Sequence, residues 1–232
     1  KLGRLFLNLG DYKDARRRLY LTAVGSMALY GAPVFAEALS ASQQNMRAVE
    51  SAQRRLAIRV ARAYSTVSYE AACCVAGAIP WPLLARMYAS LYRERTRIRA
   101  SGIKVTQRAA EIARSHARQL TLQEWQRGLR EQAEAQGIGR AAGAILPHLL
   151  EWVDRRHGGL TYRLVQVLTG HSCFGEYLHR VARKEPTTGC HHCVEEKVGQ
   201  DTAQHTLESC PAWANERLSL APHFGEDFEL FT

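Results

Sequence analysis

Apolar positions recur at three- and four-residue steps through most of this chain, the spacing that builds one buried face of an α-helix. Ala15, Leu19, Ala23, Met27 and Tyr30 outline a first helix opening at Asp14, with that face expected to pack inward. Gly31 and Pro33 end it, because proline lacks an amide proton and restricts the residue before it. Met46, Val49, Leu56, Val60 and Ala63 predict a second amphipathic helix, whose opposite face carries Arg47, Arg54, Arg55, Arg59 and Arg62. Ser68 suits the N-cap of a short helix through Cys73 and Cys74 that Gly77 closes. Pro80-Trp81-Pro82 then precedes a longer helix on Leu83, Leu84, Met87, Tyr88, Leu91 and Ile98. Its distal half bears Arg93, Arg95, Arg97 and Arg99, and Ser101-Gly102 breaks it.

A helix from Thr106 to Leu120 is expected next, and a separate one opening at Thr121. There Thr121-Leu122-Gln123-Glu124 fits a capping box, in which hydroxyl and carboxylate each satisfy a free backbone amide. Gly137 and Gly139 form a hinge before an apolar run from Ile145 to Trp152, and Leu160, Leu164, Val167 and Leu168 predict a last helix ending at Gly170. No strand-like alternation and no internal repeat is evident, so the fold class expected is mainly α. The sharpest domain boundary falls between Arg183 and Gly189, where Lys-Glu-Pro-Thr-Thr-Gly interrupts the pattern, and a softer one at Gly137 to Arg140.

Composition narrows the class. With 46% hydrophobic and 23% charged residues, the 232-residue chain has the make-up of a folded protein. No apolar run approaches the roughly eighteen residues of a membrane helix, so no membrane span is expected. The start, Lys1-Leu2-Gly3-Arg4, has no initiator Met and no signal-peptide pattern, and reads as an internal cut.

The +9 formal charge is unevenly spread. Residues 1–140 hold 23 Lys or Arg against 10 Asp or Glu, residues 141–189 hold 6 against 4, and residues 190–232 hold 2 against 8. A basic body with an acidic tail favours a polyanionic partner for the body, most simply nucleic acid, over a merely solvated basic surface.

Six cysteines, unevenly placed, do not form the framework of a secreted disulfide scaffold, and an intracellular setting is expected. Cys190, Cys193, His205 and Cys210 give the pattern C-x2-C-x11-H-x4-C. Three sulfurs and one imidazole make a closed tetrahedral shell that suits Zn²⁺ and leaves no open position for a catalytic water. A structural zinc is therefore expected, in preference to a redox pair at Cys190 and Cys193. His191 and His192 are read as surface residues, since ligation by neighbours strains one shell. The knuckle itself has few phosphate-neutralising groups, Lys197 and Arg217, so a role in local stacking through Trp213 or in packing suits it better.

Several blocks resemble a known family. Leu29-Tyr30-Gly31-Ala32-Pro33-Val34-Phe35-Ala36 is similar to the "YGAPVWA" motif that follows the catalytic palm in reverse transcriptases of arthropod LINE-type (non-LTR) retrotransposons. Gln53-Arg54-Arg55 and Arg62-Ala63-Tyr64-Ser65-Thr66-Val67-Ser68-Tyr69-Glu70-Ala71 resemble the following thumb segment. The stretch from Leu168 to Leu178, LTGHSCFGEYL, resembles "LTGHGCFGEYL", and His205-Thr206-Leu207-Glu208-Ser209-Cys210-Pro211-Ala212-Trp213 resembles the "HTLEECPAW" knuckle ending. The resemblance covers most of residues 15–218, in order. Phe35 stands where Trp is common, Ser172 where Gly is usual, and the gap between Cys193 and His205 is somewhat long.

The resemblance implies a thumb-like helical region over 1–100, a helical linker over 101–183, and a zinc knuckle with acidic tail over 184–232. It implies a parent RNA-directed DNA polymerase whose palm aspartates hold Mg²⁺. No Asp-Asp pair occurs in this sequence, so no catalytic residue carries over, and activity is expected only together with an N-terminal polymerase portion. The expected partners are RNA and DNA as a template–primer duplex, in the nucleus, with no membrane. The arginines of the second helix and those from Arg93 to Arg99 are the expected phosphate contacts. A stand-alone, zinc-stabilised helical adaptor derived from such an element is the other reading. Tyr30, Trp81 and Tyr88 are expected in the core, Cys73 and Cys74 as buried small hydrophobes, and His171 in a structural hydrogen bond.

Overall fold

In the computed structural model, which describes residues 14–155, 159–193 and 199–224, helix follows helix. The first stretch contains α1 (Asp14–Ala28), α2 (Ala32–Ala41), α3 (Gln43–Ala61), α4 (Tyr69–Ala76), α5 (Trp81–Ala100), α6 (Gln107–Gln136), α7 (Arg140–Ile145) and α8 (Leu149–Asp154). After it come α9 (Tyr162–Thr169), α10 (Gly175–Arg180) and α11 (Ala214–Phe224). An isolated antiparallel bridge, Gly189 to Gln200, is the sole β pairing among the described residues. The fold is mainly α, as the spacing predicts. The contacts divide it into two compact units, split between Tyr162 and Arg163. No single helix among the described residues is long and apolar enough to cross a membrane.

In the first unit, α3 packs on α4, α2 on α5, and α4 on α7. Local chemistry sets the helix ends. The Ser68 hydroxyl accepts from the Ala71 amide at 3.2 Å, and Gly77, at φ 63°, closes α4 in the left-handed conformation glycine adopts freely. Every residue of α4 from Ala71 to Ala76 is buried, and their small side chains let neighbouring helices approach closely. Cys73 and Cys74 are part of this core and fully covered. Their thiols are pushed upward by burial, Cys74 to about 12, so neither is a nucleophile at neutral pH.

Gln53 is the polar pivot of the unit. Fully buried on α3, it donates to the Ile79 carbonyl at 2.8 Å and accepts from the Trp81 amide at 2.7 Å and the Tyr69 hydroxyl at 2.9 Å. One side chain thereby ties α3 to the α4 start and to the first residue of α5. Trp81 is buried beside it, and the Trp152 indole donates to the Cys74 carbonyl at 2.8 Å.

Three features depart from the periodicity. First, α1 presents its other face to the core. Arg17, Gly25 and Leu29 are buried, whereas Leu19, Met27 and Tyr30 are 69%, 64% and 92% exposed. The buried Arg17 guanidinium donates to the Arg59 carbonyl at 2.6 Å, which orients α1 with that edge inward. Tyr30 is thus a surface residue rather than a core one, and Tyr88 is partly exposed, lining a cavity beside α1 with Trp81. Second, Gly31 and Pro33 end α1 but also begin α2, with proline in the first turn where its missing amide costs nothing. The two helices meet at 84°. Third, α6 runs unbroken through Thr121. That residue is buried, its hydroxyl donating back to the Ala117 carbonyl at 2.8 Å, and Glu124 bonds to Arg86 instead of a backbone amide. The capping-box pattern there is coincidental; the true N-cap is Thr106, which accepts from Ala109 at 3.2 Å.

Candidate metal centre and basic surfaces

In the second unit the antiparallel bridge between Gly189 and Gln200 precedes the helical turn that carries His205. Cys190 accepts from the Cys193 amide at 3.3 Å, so the C-x2-C segment is a tight turn with both sulfurs on one side. The Cys190 amide donates to the Gly199 carbonyl at 3.1 Å, and the Asp201 amide to the Thr188 carbonyl at 2.7 Å. Thr202 then opens a turn by accepting from the His205 amide at 3.0 Å. One turn of π-helix, His205–Ser209, follows, closed by the Cys210 amide on the His205 carbonyl at 2.7 Å. Its wider winding brings His205 and Cys210, five apart, to the same point.

All four predicted ligands meet there, with the ligating atoms of Cys190, Cys193, His205 and Cys210 within 4.8 Å of one another. The Cys210 sulfur is 3.9 Å from that of Cys190 and 3.8 Å from that of Cys193, and the His205 Nε2 lies 3.3 Å from the Cys193 sulfur. Two sulfurs about 2.3 Å from a tetrahedral Zn²⁺ stand roughly 3.8 Å apart by geometry, and a sulfur and a ring nitrogen roughly 3.5 Å. The cluster therefore has the dimensions of a tetrahedral metal shell, and could hold one ion. Without a cation, the Cys193 thiol is held up, to about 12, first by its partial burial and then by the sulfurs of Cys210 and Cys190. A metal would take the place of its proton.

The surroundings orient the ligands. The Ser209 hydroxyl is 3.1 Å from His205 Nδ1, so it can receive that proton and leave Nε2 free for a metal. Gly199 passes so close to the imidazole that a Cβ on it would sit 2.7 Å from His205 Cε1. Asp201 joins the bridged segment to α10. Its carboxylate accepts from the Gly175 amide at 2.7 Å and its carbonyl from Glu176 at 3.0 Å. None of these three stands out in the ligand spacing; Gly199 alone carries a hint, as a glycine beside a predicted metal loop. His191 and His192 are exposed, as expected, with His192 edge-on to Trp213 at 5.6 Å between ring centres. His171 bonds to the Thr169 carbonyl at 2.7 Å and leans on Tyr177 at 4.7 Å; burial lowers its pKa, keeping it neutral. Arg217 donates to the Thr206 carbonyl at 3.3 Å. Lys197 lies outside the described residues.

The predicted arginines sit in two settings. On α3, Arg54 donates to the Val67 carbonyl at 2.7 Å and to the Ser65 carbonyl, and Arg55 to Ser51 at 3.3 Å. Arg59 is half-buried and Arg62, in the left-handed C-cap conformation, donates to Leu160 at 3.1 Å. Arg47 is exposed near the start of the helix. On α5 all four are exposed: Arg93 pairs with Glu37 at 2.7 Å and Arg97 with Glu94 at 2.8 Å, while Arg95 and Arg99 make no hydrogen bond or ion pair with a described residue.

Comparison with known proteins bears on the origin of these features. Over 183 residues, 75% of its length, the chain is 28% identical to the Retrovirus-related Pol polyprotein from type-1 retrotransposable element R1 4 of Nasonia vitripennis. Over 212 residues, 88% of its length, it is 26% identical to a 115 kDa protein in type-1 retrotransposable element R1DM of Drosophila melanogaster. The chain is a homologue of R1 retrotransposon Pol polyproteins. It spans 43% and 20% of the length of these relatives. No family model matches it, and neither does any solved structure. The retroelement origin agrees with the resemblance in its motifs.

Proposed function

We propose that this chain is the nucleic-acid-binding, C-terminal portion of a retrotransposon RNA-directed DNA polymerase, with a thumb-like helical region over 1–100, a linker over 101–183 and a zinc knuckle from 184. It grips the template–primer duplex through basic helices, and a structural Zn²⁺ holds the knuckle together. The observation that carries the reading is the pairing of relatedness to R1 Pol polyproteins with Arg95 and Arg99 on α5, exposed and in no hydrogen bond or ion pair with a described residue. A free guanidinium can neutralise a phosphate and release its counterion, which is where sequence-independent affinity comes from.

Zinc is favoured over other ions by the chemistry of the donor set: three soft thiolates and one imidazole fill all four positions of a tetrahedron and leave none for water. Such an ion supplies folding energy rather than catalysis. Mg²⁺ chemistry belongs to palm aspartates, and this sequence has no adjacent Asp pair, so no polymerising step is assigned to its residues.

Fluorescence anisotropy on a labelled RNA–DNA duplex tests the reading. Binding at ~50 mM salt that weakens steeply as salt rises is expected. Near-stoichiometric zinc, lost on Cys193→Ser or Cys210→Ser, is expected by elemental analysis. Zinc retained with no duplex binding at ~50 mM salt would favour the adaptor reading instead.

A further inference from the structure

The four arginines from Arg93 to Arg99 on α5 are part of a larger basic surface. α5 and α6 pack together and are antiparallel neighbours, joined by the six residues Ser101–Thr106. The Arg86–Glu124 ion pair, 2.7 Å, sets their register near the core end. Beyond it the two helices leave the core: of residues 92–116 none is buried and most are exposed. This tip holds seven Lys or Arg and two Glu. Glu94 is engaged by Arg97, and the other, Glu111, accepts from Gln107 at 3.0 Å. Arg95, Arg99, Lys104, Arg108 and Arg114 make no hydrogen bond or ion pair with a described residue.

We propose that the link and the first half of α6 complete the duplex-binding surface, with Lys104, Arg108 and Arg114 as phosphate contacts beside Arg95 and Arg99. This inference rests on the nucleic-acid reading above and extends its surface from α5 across the α5–α6 tip. Two physical differences separate the surfaces. The α3 guanidinia of Arg54 and Arg62 are spent on backbone carbonyls, so recruiting them for phosphate would leave those carbonyls unpaired. Arg95, Arg99, Lys104, Arg108 and Arg114 lose only solvent. Helix geometry also suits a backbone track. Arg95 and Arg99 lie on one face of α5 about 6 Å apart along the axis. Arg108 adds a further charge in the first turn of α6, which packs beside α5 at an interaxial distance of about 8–10 Å. Six of the seven tip cations are arginine, whose planar fork matches phosphate oxygens better than a lysine point charge does. An acidic protein segment is the competing partner; phosphate is favoured because the tip offers many spaced charges and no buried apolar anchor.

The test is a salt titration of RNA–DNA duplex binding by the full chain, read by anisotropy. One variant carries Lys104→Ala, Arg108→Ala and Arg114→Ala. A charge-matched variant carries Arg127→Ala, Arg130→Ala and Lys184→Ala, all exposed and outside residues 92–116. The tip variant is expected to lose about 2–3 from the slope of log affinity against log salt, near 0.9 per contact, equally for all duplex sequences. The charge-matched variant is expected to keep the wild-type slope. Equal slopes in the two variants would overturn the inference while leaving the nucleic-acid reading intact. No binding by the wild type at ~50 mM salt would remove both. Unchanged far-ultraviolet dichroism shows that the variants remain folded, as exposed Ala substitutions in helices should.

Discussion

Gly199→Ala isolates a single close approach at the metal cluster. The glycine's φ is unremarkable, so alanine meets no backbone strain there, only the His205 ring. Its Cβ would stand 2.7 Å from Cε1, 3.0 Å from Nδ1 and 3.3 Å from Nε2. Non-bonded carbons rest about 3.5–4.0 Å apart, so the ring or the loop must retreat by about 1 Å. Metal shells hold their distances to about 0.2 Å, so the imidazole cannot yield that far and remain a ligand. Retreat of the loop instead would break the 3.1 Å bond from the Cys190 amide to the Gly199 carbonyl and disturb a second ligand. Either way, zinc affinity should fall on the order of 10- to 100-fold, about 1.4–2.8 kcal/mol. Competition with a chromophoric chelator measures it, and the visible spectrum of the Co²⁺ form reports the loss of the nitrogen ligand. Gly128→Ala is the control, because a Cβ there meets nothing within 4 Å and α6 gains helix propensity. Zinc held by Gly199→Ala as tightly as by the wild type would refute the claim that this glycine exists to admit the imidazole.

Ser209→Ala removes the hydroxyl 3.1 Å from His205 Nδ1, and should weaken zinc about tenfold while Ser209→Thr retains it; equal affinities for all three would count against a fixed ring tautomer. Zinc affinity should rise with pH. The Cys193 thiol is raised to about 12 in the metal-free cluster, so its proton is bound below that pH and must leave on ligation, contributing about tenfold per pH unit. Chelator competition between pH 6 and pH 8 that finds no change would refute it. Gln53→Ala should cost the first unit about 3 kcal/mol or more, since it leaves the buried Trp81 amide and the Ile79 carbonyl unpaired; an unchanged thermal melt would show that water replaces the side chain.

Much of the architecture was legible because local rules decide it. The Ser68 cap, the Gly77 and Gly102 left-handed turns and the stop at Gly170 depend on a few adjacent residues, and each stands where its chemistry puts it. The four residues that could hold a metal were legible for the same reason: residue type and spacing limit what three sulfurs and a ring nitrogen can do.

The failures share one cause, which is that a pattern names a face without naming what covers it. The stripe through Leu19, Met27 and Tyr30 has helical spacing, but the buried Arg17 bond to Arg59, forty-two positions away, turns α1 so that the stripe faces out. Thr121 reads as a cap until Arg86 takes Glu124 and α6 continues through it. The shared richness of α3 and α5 in arginine hides a difference that only distant carbonyls and the departure of the α5–α6 tip from the core create. Sequence alone determined most of the helices of the first unit, the Ser68 and Gly77 caps and the four residues that could hold a metal, since these follow from short-range geometry. Tertiary structure decided which faces are buried, how Gly199 and Ser209 frame His205, and which charges stay free, because each depends on a partner remote along the chain.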